Sequence, residues 1–156
     1  MTYIDKCIKE KRNITQIQND LKAMIESHVW TSHFCHNDKD FMCSYSDSLD
    51  SLKHMIRLSK CQFVSSVYSE DLALDLIKDA IESNIPYIAQ WILSNDSSMQ
   101  LMGFCDNVGY VVYQDKRVDE NASYVVISLR KNEKPCRNSS GFYVEFIYPV
   151  SEINHP

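Results

Sequence analysis

Glycine and proline are scarce in this chain, three and four residues in 156. So few backbone punctuators leave little room for long irregular loops or interdomain linkers, and the length itself fits a single domain, residues 1–156. No run of eighteen or more apolar residues occurs, so no transmembrane helix is expected. The opening segment MTYIDKCIKEKRN lacks the apolar stretch of a secretory signal. A cytoplasmic location is therefore expected, unless a carrier delivers the chain elsewhere. Positive charge is also short: 16 Lys and Arg stand against 21 Asp and Glu, a formal net charge of −5. Such a balance argues against a protein that coats nucleic acid without sequence preference, but it is compatible with a local cationic cleft. Six cysteines, at positions 7, 35, 43, 61, 105 and 136, follow no regular spacing and form no CxxC. Reduced thiols are expected, with Cys105 buried at the end of an apolar run.

Helical spacing dominates the first half. Asn13 with Gln16 three residues on has the form of a capping box. Ile14, Ile17, Leu21, Met24 or Ile25, and Val29 then keep a helical period to about Trp30. Residues 31–48 show no period and hold two His, two Cys and three Asp, which predicts a loop. A second helix carries Leu49, Leu52 and Met55 or Ile56. The segment Val64–Tyr68 reads as a short extended piece. Ser69 then caps a third helix, with Glu70 and Asp71 in the first turn, where the helix dipole favours acids. Its buried stripe is Leu72, Leu76, Ile77, Ala80 and Ile81, and Pro86 fits the first turn of a fourth helix, Tyr87–Leu93. From Met99 onward the pattern becomes that of strands: Met99–Cys105, Gly109–Gln114, Ser123–Arg130 and Gly141–Val150, rich in Val, Ile, Tyr and Phe. N-terminal helices followed by a mostly antiparallel sheet define an α+β fold.

Three motifs stand in order along residues 64–150: SSVYSEDLALDLIKDAIESNIPYIAQWIL, VVISLR and GFYVEFIYP. Together they resemble the RNase A-like toxin domain at the C-terminus of bacterial contact-dependent inhibition proteins. Gly103 and Gly109 fall near that family's first strand hairpin. The resemblance implies a kidney-shaped α+β fold, with a helical part over 1–63 and an RNase A-like core over 64–150. It also implies RNA cleavage in the cytoplasm of a target bacterium without metal or other cofactor, and a cognate immunity protein as partner. The family's site uses a His from a Lys-His-Val motif, an Arg, and a Thr and Tyr from the last strand. Tyr148, just before Pro149, matches the Tyr, whereas Phe146 stands at the Thr position. Lys53-His54-Met55 resembles Lys-His-Val. Alternatively Arg57-Leu58 matches the family's Arg-Leu, and the His would then fall near Ser46, where none stands. A rearranged site would use both His54 and Arg57, at i and i+3 on one helix.

Cleavage through the 2′-hydroxyl needs a base, an acid for the departing oxygen, and donors or a cation for the phosphorane charge. Histidine is the best base or acid near neutral pH, which makes His54 the candidate. Arg57 offers a bidentate phosphate clamp, and Tyr148 a hydrogen bond or a stacking surface. The plainer reading makes His54 a helix-surface residue and Tyr148 an aromatic at the core's edge. Lys131, Lys134 and Arg137, before the last strand, are candidates for RNA phosphates or ordinary turn residues. His33, Cys35, His36 and Cys43 are zinc-ligand types, but their spacing is not that of a finger, and no metal site is expected. His36 is a further catalytic candidate if a long loop carries it in. Simple alternation puts Phe142, Val144, Phe146 and Tyr148 on one face and Glu145 on the other, unless a bulge intervenes. The competing reading is a non-catalytic relative that binds protein, as an immunity or regulatory protein. It is favoured by the acidic balance and by Phe146. The two readings part on whether His54 and Arg57 share a cleft with Tyr148.

Overall fold

A computed structural model describes residues 1–35, 47–131 and 139–151. Helices come first: α1 Tyr3–Lys9, α2 Ile14–Glu26, α3 Trp30–Phe34 and α4 Leu49–Leu58, then strand β1 Phe63–Val67, α5 Glu70–Ser83 and α6 Ile85–Ile92. Three strands complete the chain, β2 Ser98–Tyr113, β3 Val118–Lys131 and β4 Phe142–Val150. The sheet is antiparallel in the order β1-β2-β3-β4, so the fold is α+β as expected.

Local signals start the helices where the sequence places them. Asn13 accepts from the Gln16 backbone and Gln16 returns a bond to the Asn13 N–H, a complete capping box. Ser69 caps α5 through the Leu72 N–H, with Glu70 and Asp71 in its first turn, and Ser48 caps α4 through Ser51. Two helices appear where none was expected. In α1, Thr2 and Asp5 form another capping box, and Tyr3 and Ile4 donate their N–H groups to Ser139 and Ser140 just ahead of β4. A single turn, α3, occupies Trp30–Phe34 inside the expected loop.

The strand reading needs correction at two places. The expected strands 99–105 and 109–114 are one strand, β2, with register irregularities around Gly109 instead of a turn. Cys105, expected inside, is exposed, because it lies in the stretch of β2 between the paired residues Phe104 and Gly109. A Cβ at Gly109 would stand 2.1 Å from the Ser66 carbonyl oxygen and 2.8 Å from Pro149 Cγ. Only glycine lets β1, β2 and β4 approach this closely. The sheet curls so far that its edge strands meet, the rings of Phe63 on β1 and Tyr148 on β4 lying 6.1 Å apart.

The main core fills the space between the sheet and α1, α2, α5 and α6. Ile17, Leu21, Ile77, Ile81, Ile88, Val125, Ile127, Leu129 and Ile147 are fully buried there, and Phe142 packs against Phe34 and Trp91. A second, small cluster holds Leu52, Ile56 and Val112, packed with Leu49, Val64 and Tyr110. It fastens α4 to the opposite face of the sheet from the main core. No helix among the described residues is long and apolar enough to cross a membrane.

Candidate functional site

Helix α4 carries two of the candidate residues, and its buried side fixes where they point. Leu52 and Ile56 face the sheet. At about 100° per residue, Lys53 and Arg57 fall together on one flank, one turn apart, and His54 falls nearly opposite the buried side. His54 is accordingly exposed. Arg57 lines an open groove of about 660 Å³ with Lys53, Ile56, Val112, Tyr113, Gln114, Lys116 and Val118, and His54 is not among the lining residues. The expected pair is thus on one helix but does not converge: Arg57 faces the groove, His54 the solvent.

The far wall of the groove is the turn that joins β2 to β3. The Tyr113 N–H donates to the Arg117 carbonyl at 2.9 Å and the Lys116 N–H to the Tyr113 carbonyl at 3.0 Å. Lys116 itself has φ +76°, the left-handed conformation that closes such three-residue loops. Arg117 bonds Asp115 at 2.8 Å and lies 4.6 Å from the centre of the Tyr113 ring. Among the described residues no carboxylate pairs with Lys53, Arg57 or Lys116. The groove is therefore cationic, with an apolar floor, on a protein that is acidic as a whole.

Tyr148 lies beside this groove and outside it. Its ring is 6.1 Å from Phe63, which is 6.1 Å from Tyr113 on the groove wall, and 5.6 Å from Phe146 on the other side. An aromatic row, Tyr113–Phe63–Tyr148–Phe146, connects the groove with the open face of the sheet. That face owes its composition to a bulge that alternation alone does not reveal. Ser128 pairs with Phe146 but Leu129 pairs with Val144, so Glu145 is an extra residue. Phe142, Val144 and Ile147 consequently point into the core, while Glu145, Phe146 and Tyr148 share the other face. Phe146 and Val144 are not on one face, contrary to the simple expectation. The Glu145 carboxylate accepts from Ser128 Oγ at 3.2 Å and Arg130 at 3.3 Å. The same face exposes Met102, paired across the strands with Val126, and Phe104, whose ring is 5.2 Å from Tyr124.

The remaining candidates are dispersed. Lys131 Nζ donates to the Ser94 carbonyl at 2.7 Å and lies 5.2 Å from the Trp91 ring centre. Burial lowers its pKa, partly offset by Asp96. Its ammonium is tied to the end of α6. Lys134 and Arg137 lie outside the described residues, as do His36 and Cys43. Cys35 is buried and His33 Nδ1 lies 3.0 Å from Ser139 Oγ. No cluster of three His, Cys, Asp or Glu side chains placed to hold a metal ion occurs among the described residues. Lys53 and Lys116, absent from the expected site, join Arg57 only through the packing of α4 on the sheet. The i, i+4 spacing of Lys53 and Arg57 was the one trace of this in the sequence.

No family model matches the chain, and no curated protein matches it. Among solved structures, a chain from the crystal structure of the CdiA-CT/CdiI complex from Y. kristensenii is similar, with a TM-score of 0.61 and 16% sequence identity. The likeness covers 70% of this chain and 96% of that one. At this identity the two proteins share a fold.

Proposed function

We propose that this chain is a toxin domain of the contact-dependent inhibition type, cutting RNA without a metal and neutralised by a cognate immunity protein. The observation that carries this reading is the cationic groove with Arg57 on its wall. The order of motifs over residues 64–150 and the fold likeness to a chain of a CdiA-CT/CdiI complex support it. In this reading a phosphate seats in the groove, and the Arg57 guanidinium meets two of its oxygens and the charge that grows there as the 2′-hydroxyl attacks. Tyr148 donates its hydroxyl or stacks on a base. His54, three residues before Arg57 on α4, is the candidate acid or base, reaching the same phosphate from the solvent side of the helix.

A second reading is favoured by the outward direction of His54 and by Phe146 at the Thr position. The same fold would then bind a protein without catalysis, through the sheet face that exposes Met102 and Phe104. One assay separates the two: total bacterial RNA incubated with the purified chain in EDTA, between about pH 5 and 8, where histidine titrates. The first reading expects cleavage that falls roughly 10²-fold or more in Arg57→Ala. Loss in His54→Ala as well assigns the proton transfer to that residue, and retention removes it from the site. No cleavage by the parent chain at any of these pH values leaves the protein-binding reading.

A further inference from the structure

We infer that the groove between α4 and the β2–β3 turn is a subsite for the phosphate backbone of single-stranded RNA, held by Lys53, Arg57 and Lys116, with the adjoining aromatic row receiving unpaired bases. This rests on the RNA-cleaving reading and deepens it by naming the strand form and two further binding residues.

Three features of the groove run against stability and agree on a ligand. Lys53 and Arg57 stand one helical turn apart, where like charges repel. No carboxylate among the described residues relieves either of them or Lys116, although acids outnumber bases in the chain. Asp115, the acid next to Lys116, is taken by Arg117. Lys116 also occupies a left-handed turn position, φ +76°, where glycine or asparagine is the unstrained choice. An anion seated between the three cations relieves their repulsion, and the apolar floor of Ile56, Val112 and Val118 strengthens the attraction by excluding water.

The aromatic row points to an unpaired strand. Phe63, Tyr148 and Phe146 are partly exposed and follow one another from the groove wall at ring spacings of 6.1 and 5.6 Å. Aromatic platforms beside a cationic track bind single strands through stacking, which paired bases in a duplex cannot offer. Tyr113, 5% exposed, is the buried root of the row and not itself a platform.

The test uses a fluorescent single-stranded DNA of about ten nucleotides, a length within the usual single-strand site sizes. Lacking the 2′-hydroxyl, it cannot be cut by the proposed route, so binding is read apart from cleavage. Three phosphate contacts predict a slope of log K against log salt of about −2, each contact contributing roughly 0.7. Lys53→Gln and Lys116→Gly should each lower that slope by about 0.7. Lys116→Gly should do so without lowering the thermal midpoint, since glycine suits the turn. An unchanged slope in both variants, or duplex binding as tight as single-strand binding, overturns the subsite. Binding with the expected slope losses but no RNA cleavage keeps the subsite and removes the ribonuclease reading. RNA cleavage with variants that bind like the parent does the reverse, and neither binding nor cleavage overturns both.

Discussion

Cys35 shows how one residue's surroundings reset its chemistry. It follows α3 and is buried in the core, and desolvation pushes its thiol pKa up to about 12 from the ordinary value of 9.0. The Tyr3 hydroxyl, bonded to Asp20 at 2.6 Å, is shifted in the same direction by burial and by that carboxylate. When the protein unfolds, both groups give up protons at lower pH than in the folded state. The folded state therefore binds more protons above about pH 9, and stability falls as pH rises through that point while staying flat for these groups below it. Denaturant midpoints measured from about pH 7 to 10 should show this decline, and Cys35→Ser should flatten part of it. Thiol alkylation at pH 8, read by mass spectrometry, should label the exposed Cys61 and Cys105 and spare Cys7 and Cys35. Little of this is legible in the sequence: Cys105 follows an apolar run and Cys35 sits in a polar one, yet their burial is the opposite. The pairing of β2 with β3 breaks after Phe104, which takes Cys105 out of the buried face that Leu101 shares, and the polar segment begins with a helical turn packed against Phe142.

At the scale of elements, caps and periodicity carried the helices that bury a long stripe, α2 and α5. Helix α1 was missed because it buries only Ile4 and Cys7, too few for a period, and is held by backbone bonds to the start of β4. Helix α4 was legible as a helix, but the direction of its flanks was not, since that depends on the sheet face it packs against. Its attachment is narrow: Leu52 and Ile56 on a cluster with Val112. Leu52→Ala should cost about 2–5 kcal/mol by denaturant unfolding, the range for a fully buried leucine. It should also abolish the groove by freeing α4 from the sheet. If the cost is well below that range while Arg57-dependent activity survives, α4 is held by contacts other than this cluster. The bulge at Glu145 is the other hidden device: one extra residue turns Phe146 and Tyr148 away from the core face that holds Phe142 and Val144, and sets Glu145 beside them on the open face.

For the molecule as a whole, the deciding feature is the curl of the sheet, which lets β4 meet β1 and sets the aromatic row beside the groove. At Gly109 the Ser66 carbonyl and Pro149 come too close to leave room for a side chain. Gly109→Ala should destabilise by about 2–4 kcal/mol, because the new methyl meets the Ser66 carbonyl and Pro149 and the three strands cannot all retreat. A denaturation midpoint close to that of the parent would mean the edge strands do not need this approach. The sequence by itself determined the α+β class, the capped helices α2 and α5 and the change from helical to strand pattern near residue 99. These follow from contacts between near neighbours along the chain, which composition and spacing record. Tertiary structure alone decided that β2 is one bent strand, that His54 faces away from the sheet, and that Lys116 comes to stand across a groove from Lys53 and Arg57. Those outcomes depend on residues some sixty positions apart meeting across the sheet, and the direction of a side chain there is set by which surfaces pack.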